Sequence, residues 1–139
     1  MESYRPRVIL SAAISLDGKL ATRTGDSKLS SQRDKIRVHK LRSRFDAILV
    51  GKNTVEIDDP LLAVQGIEGK NPVRVILDSR ATIRASSKIL RTCSKIPTII
   101  AVSKMAKKKN LEKLKKFPVV VKVCGNNKIN IKKLLKFLK

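Results

Sequence analysis

Two short polar clusters in this sequence combine residue types able to hold a nucleotide or a sugar phosphate. Asp58-Asp59-Pro60 follows the apolar run Ala47 to Gly51 (AILVG), with Thr54 between them, and Asp78-Ser79-Arg80 follows Val73 to Leu77 (VRVIL). Carboxylates accept hydrogen bonds from ribose hydroxyls, and a guanidinium can grip a phosphate through two parallel bonds. Position matters as much as type, because α/β folds bind ligands just beyond the carboxyl ends of their strands. Asp and Ser at a strand end also cap loops and helices, so these residues alone leave a binding role and a local role open. His39 is the only histidine; beside Lys40 and Arg42 it reads as an exposed or packing residue rather than a ligand or base. One histidine and two distant cysteines, Cys93 and Cys124, do not make a structural zinc site. The sequence holds no G-x-G-x-x-G, no P-loop and no G-x-S-x-G.

The elements that would position these clusters follow from hydrophobic pattern. Val8 to Ser15 (VILSAAIS) reads as a buried strand closed by the turn dipeptide Asp17-Gly18. Ser31 and Asp34 approximate a capping box for a helix carrying Val38, Leu41 and Phe45 toward a core. AILVG is a second strand, followed by a short turn at Asn53-Thr54-Val55. VRVIL is a third, started by Pro72, and Thr98 to Val102 (TIIAV) a fourth. Ser103 can cap a helix running through about Phe117, with Leu111, Leu114 and Phe117 on one stripe. Pro118 ends it, Val119 to Val123 (VVVKV) is a fifth strand, and Asn130 caps a last short helix with Ile131, Leu134, Leu135 and Leu138. Strands alternating with helices, each strand a near-continuous apolar run, imply an α/β domain whose mostly parallel sheet is covered on both faces.

Composition bounds the alternatives. The chain has 139 residues, 42% hydrophobic and 31% charged, which suits one folded domain rather than a disordered polyelectrolyte. No apolar run approaches the roughly 20 residues a membrane helix needs, and the first residues lack a secretory pattern. Two cysteines are too few for a disulfide framework and read as small core residues, with a reduced cytosol as the default location. Net charge is +21, the simplest reading of which is a nucleic-acid binder. Residues 88–139 carry 16 of the 32 Lys+Arg against one acid, Glu112, and most of that excess is lysine. Aromatics are 3% and tryptophan is absent, so the stacking platforms of nucleic-acid modules are missing. A solvated lysine face is the plainer reading, and its field still attracts phosphorylated ligands.

Taken in order, several segments closely resemble one family. They are Ser15-Leu16-Asp17-Gly18-Lys19-Leu20-Ala21, His39-Lys40-Leu41-Arg42, Asp46 to Gly51 (DAILVG), Thr54 with Asp58-Asp59-Pro60, and Asn71 to Ser79 (NPVRVILDS). The family is the stand-alone archaeal and fungal pyrimidine reductase of riboflavin biosynthesis, related to the C-terminal domain of the bacterial bifunctional deaminase-reductase. The resemblance implies a dihydrofolate-reductase-like α/β fold, a mostly parallel sheet flanked by helices, in a cytoplasmic homodimer. It implies NADPH-dependent reduction of the ribosylamino group of 2,5-diamino-6-ribosylamino-4(3H)-pyrimidinone 5′-phosphate to the ribitylamino form. No metal is implied.

Carried over by position, the resemblance makes Lys19 and Asp58 the catalytic candidates, Lys19 near the reacting sugar. It gives cofactor contacts to Ser27, Leu29, Thr54, Asp58, Asp78, Ser79 and Arg80, with Arg80 suited to a 2′-phosphate. Substrate contacts fall on Arg42, suited to the 5′-phosphate, on Leu62, and on Gln65, which stands where bacterial relatives carry an arginine. The family continues beyond the point matching Lys139 with a Glu-Gly-Gly-Gly segment that clamps the cofactor pyrophosphate. The expectation is therefore a single reductase domain over residues 1–139 that is incomplete at its C-terminal end relative to the family.

The rival is an inactive or repurposed fragment that binds nucleic acid through its basic surface. Filter binding of an oligonucleotide at two salt concentrations separates them. The reductase reading predicts weak retention without sequence preference, whereas a dedicated nucleic-acid protein would bind tightly at low salt and lose affinity steeply as salt rises.

Overall fold

The computed structural model of the chain describes residues 6–26 and 28–139. Four parallel strands form one sheet in the order β1-β2-β3-β4: β1 Ala47–Gly51, β2 Val73–Leu77, β3 Thr98–Val102 and β4 Val120–Val123. Five helices accompany them: α1 Gln32–Arg42, α2 Lys52–Asp58, α3 Lys88–Arg91, α4 Lys108–Leu114 and α5 Ile131–Phe137. Each pair of consecutive strands is joined through a segment containing a helix, as parallel neighbours require.

Because side chains alternate across a strand, the sheet divides its apolar residues between two faces. Ile76, Ile100 and Val102 join Val55 of α2, Leu90 of α3 and Leu114 of α4 in the larger core. Val75 and Ala101 point the other way and meet Cys124 and Leu134 of α5. The second face is covered less completely than the continuous apolar runs imply. α5 shields β2 and β3 there, while Leu49 of β1 stays 41% exposed. Both cysteines are buried and free, as their small apolar character suggests.

The capping residues act locally as expected. Ser31 Oγ accepts from the Asp34 N–H at 3.2 Å, and Asn130 Oδ1 accepts from the Lys133 N–H at 3.0 Å. Arg37 Nε donates to Asp34 at 2.7 Å, which holds that carboxyl below the usual range. Three expectations need correction. The segment at 53–55 is not a turn but the body of α2. The helix expected after Ser103 begins only at Lys108, because the Ser103 hydroxyl is used elsewhere: it donates to Ser79 O at 2.9 Å and accepts from the Met105 N–H at 3.2 Å. Finally, α1 buries no residue fully, and Val38, Leu41 and Phe45 are only partly buried and join neither core cluster.

The largest departure is the run 8–15, expected as a buried strand. It forms no strand, and Val8 and Leu10 are 69% and 94% exposed. An apolar run becomes a strand only when a neighbouring edge accepts its N–H and C=O groups. Among the described residues no edge of the sheet does so. The Asp17-Gly18 turn beside it does form: Gly18 takes φ +78° and donates to Ser15 O at 2.9 Å, and Ser15 donates to Lys19 O at 2.9 Å.

Arg74 is an unexpected core residue, fully buried on the larger-core side of β2. Its Nε and Nη2 donate to Thr98 Oγ1 at 3.0 and 2.8 Å, and its Nη1 to Thr92 Oγ1 at 2.8 Å and Leu61 O at 3.1 Å. Nη2 also reaches Ile89 O at 2.8 Å and Ile96 O at 3.3 Å. Burial lowers its pKa from the ordinary guanidinium value. Replacing it with a shape-compatible apolar chain removes the donor to Leu61 O and Ile89 O, each a buried polar loss, while Ile96 O keeps the Thr98 hydroxyl at 2.9 Å. Arg74→Met is expected to lower the free energy of unfolding by about 3 kcal/mol, read as a lower urea midpoint at an unchanged slope.

Candidate functional site

The carboxyl ends of β1 and β2 lie side by side, Gly51 pairing with Leu77. The chain leaves β1 directly into α2 and leaves β2 into the loop Asp78-Ser79-Arg80. Between these two exits opens a cleft of about 370 Å³ lined by Gly51, Lys52, Asn53, Asp78, Ser79 and Arg80 among others. Of the two polar clusters singled out by spacing, Asp78-Ser79-Arg80 thus lines this depression, whereas Thr54 and Asp58 to Pro60 lie further along α2 and at its end and are not in its lining.

The Asp58-Asp59-Pro60 triplet has a local physical logic. Asp59 caps α2 in the left-handed conformation, φ 40° and ψ 54°, and its N–H closes onto Val55 O at 3.1 Å. Its Oδ1 accepts from the Lys88 N–H at 2.9 Å, joining α2 to the start of α3. Pro60 cannot continue a helix. Asp58 is left as the last residue of α2, exposed, one turn beyond Thr54 on the same helix side. Arg84 Nη2 donates to Glu56 O at 3.1 Å and steadies the same end.

The loop after β2, which lines the cleft, is tightly braced. Asp78 is buried, its Oδ2 accepting from the Ile83 N–H at 2.7 Å and its Oδ1 from Thr82 Oγ1 at 3.3 Å. Its carboxylate therefore shapes the loop, which is the local role left open by the sequence. Ser79 O takes the Ser103 hydroxyl and the Ser103 N–H, and Arg80 O accepts from Asn110 Nδ2 at 2.9 Å. With its main chain fixed in this way, Arg80 is exposed, and its guanidinium makes no ion pair or hydrogen bond among the described residues. A cation held at a cleft mouth by its backbone, with its head unoccupied, fits an anionic ligand such as a nucleotide phosphate.

The substrate-side candidates form a second group. Leu62 is 4% exposed and has φ +56°, an uncommon conformation for a residue with a large side chain. Arg42 on α1 donates through Nη1 to Ala63 O at 3.3 Å, while its Nε is buried without a partner among the described residues. Burial lowers the Arg42 pKa. Gln65 is exposed, and its N–H donates to His39 Nδ1 at 3.1 Å. His39 is half-buried, a packing residue as its sequence context suggested, but one that also accepts a hydrogen bond.

Lys19 and Leu29 are both exposed on the N-terminal segment, and among the described residues no hydrogen bond joins them to the strand-end cleft or to α1. Ser27 lies outside the described residues. Pattern reading missed Lys52, Asn53, His39 and Ser103. Only the pairing of Gly51 with Leu77 brings the first two to the cleft, and only the loop path brings Gln65 to His39. No group of three or more His, Cys, Asp or Glu placed to hold a metal occurs among the described residues.

The parallel α/β sheet with its cleft at the carboxyl ends of the strands fits the dihydrofolate-reductase-like class of the reductase domains on which the chain superposes. A profile of the RibD C-terminal domain matches residues 6–139, and the chain belongs to that family. It is 44% identical over 137 residues to a 2,5-diamino-6-ribosylamino-4(3H)-pyrimidinone 5′-phosphate reductase of Methanothermobacter thermautotrophicus, covering 96% of this chain and 62% of that protein. It is 43% identical over 137 residues to the riboflavin biosynthesis protein RibD of Aquifex aeolicus, covering 97% of this chain and 37% of the relative. Among solved structures, the Thermotoga maritima diaminohydroxyphosphoribosylaminopyrimidine deaminase/5-amino-6-(5-phosphoribosylamino)uracil reductase superposes with a TM-score of 0.77 at 31% identity, covering 96% of this chain and 36% of that one. The chain therefore spans about three fifths of the length of the stand-alone reductase it matches.

The double role of Asp59 can be tested by substitution. Asn keeps both an acceptor and tolerance of the left-handed conformation, whereas Ala keeps neither. Asp59→Ala is expected to lower stability by about 1–2 kcal/mol and Asp59→Asn by under about 0.5 kcal/mol, compared by urea denaturation.

Proposed function

We propose that this chain carries the reductase chemistry of riboflavin biosynthesis. Its reaction would be NADPH-dependent reduction of the ribosylamino group of 2,5-diamino-6-ribosylamino-4(3H)-pyrimidinone 5′-phosphate to the ribitylamino form. The observation that carries the proposal is the Arg80 head at the strand-end cleft. It stands in a chain whose stand-alone relative, 44% identical, bears the name of that reductase.

Thr54 and Asp58 on α2, with Ser79 and Arg80 opposite, would hold the dinucleotide, Arg80 taking the 2′-phosphate. Asp78 would serve by keeping the Ser79-Arg80 loop in place. When bound, NADPH supplies the hydride that reduces C1 of the ring-opened sugar. Arg42 would supply the positive charge that meets the substrate 5′-phosphate, with Leu62 and Gln65 on the adjoining loop. Lys19 is assigned proton delivery to the sugar, with Asp58 near the same carbon. Holding both partners in an attack geometry supplies most of the rate in such a reaction. We further propose that the 139 residues act as a single domain supplying the strand-end part of the cofactor site.

Titration calorimetry of this chain with NADPH is expected to show saturable one-to-one binding. Arg80→Gln should weaken NADPH about tenfold, one charge-assisted phosphate contact, and leave NADH nearly unchanged. Equal loss for both dinucleotides would remove Arg80 from the 2′-phosphate, and no binding of either by the unaltered chain would overturn the proposal.

A further inference from the structure

α1 presents one face to the loop that follows Pro60. His39, Arg42 and Ser43 fall at helical spacing on that face, and each meets the loop at a different point. His39 Nδ1 accepts from the Gln65 N–H at 3.1 Å, and Arg42 Nη1 donates to Ala63 O at 3.3 Å. Ser43 packs on Gly69 so closely that a Cβ there would lie 2.6 Å from Ser43 Cβ. From the other side Arg74 Nη1 holds Leu61 O at 3.1 Å, and Asn71 Oδ1 accepts from the Val64 N–H at 2.7 Å. Leu62, in its left-handed conformation, thus has the carbonyls on both sides of it gripped by guanidinium groups. A backbone in that region costs of order 1 kcal/mol or more and persists only where its surroundings over-determine it.

We propose that His39 is a positioning residue for this loop. Its Nδ1 lone pair is the acceptor for Gln65, so the ring carries its proton on Nε2, and this bond fixes the exposed end of the loop against α1. The consequence is that the exposed Gln65, the buried Leu62 beneath it and the Arg42 side chain are held in one preorganised arrangement on the sugar-phosphate side. The tether stands on the geometry alone; the identity of what the surface binds rests on the reductase reading.

Three variants separate acceptor from bulk. His39→Phe keeps the ring and loses the acceptor, His39→Asn keeps an acceptor near the Nδ1 position and loses the ring, and His39→Ala loses both. Amide hydrogen exchange at Gln65 is expected to speed up several-fold in His39→Phe and His39→Ala and to stay near native in His39→Asn. Proton–nitrogen correlation spectra of the unaltered chain should place the imidazole proton on Nε2. Ribose 5-phosphate, used as the probe, should bind about five-fold more weakly to His39→Phe, the effect of losing one hydrogen bond, and recover in His39→Asn. Unchanged Gln65 exchange in His39→Phe, or a proton on Nδ1, overturns the tether. Faster exchange with unchanged probe affinity overturns the positioning role. If the unaltered chain binds no ribose 5-phosphate, the positioning role falls together with the reductase reading, while the exchange data still decide the tether.

Discussion

One buried guanidinium ties this domain together. Arg74, the second residue of β2, has no ion pair with a carboxylate among the described residues and donates instead to hydroxyls and main-chain carbonyls. A charge placed this way is tolerated only when nearly every donor finds an acceptor. The acceptors come from β3, from α3 and the turn after it, and from the loop at Leu61. Each of those segments must therefore hold its place for Arg74 to be satisfied. Sheet, helix and site loop are coupled through one side chain, and the larger core packs around it.

The same economy appears in the backbone. Among the described residues three non-glycine positions, Asp59, Leu62 and Ala81, have positive φ. Two lie in the connection after α2 and one in the loop after β2, so all three border the candidate binding regions. Each is pinned by neighbours: Asp59 through Lys88, Leu62 between two arginines, Ala81 by its N–H bond to Asp78 O. The binding surfaces are loops in origin, but loops held by hydrogen bonds to regular elements, which is the condition for a preorganised site.

Much of this was legible in the residues. The runs AILVG, VRVIL and TIIAV coincide with β1, β2 and β3 residue for residue because β-branched continuity bounded by Pro, Gly and polar residues is a local signal. Ser31 and Asn130 announced helix starts for the same reason. What stayed illegible depended on partners far away in sequence. The run 8–15 has strand composition, yet no local feature says whether an edge will receive it. Ser103 has the chemistry of a helix cap, but Ser79, distant in sequence, claims its hydroxyl. Arg74 is one charged residue inside an apolar run, and its buried role exists only once Thr92, Thr98 and three carbonyls converge on it. Type and position singled out Asp58 and Arg80 as candidates, and the fold leaves both exposed, whereas the acceptor role of His39 exists only once Gln65 folds back beside α1.

The exposed run at 8–15 and the net charge of +21 are two halves of one colloidal balance. Val8, Leu10 and Ile14 present a contiguous apolar stretch with strand-forming composition, the kind of segment that recruits another copy of itself. Like charges on every molecule oppose that approach, but only over the distance that salt leaves unscreened, about 8 Å at physiological ionic strength. The attraction between apolar stretches does not weaken with added salt, and kosmotropic anions strengthen it. The lysine-rich surface thus acts as a spacer between chains whose reach is set by the solution rather than by the fold.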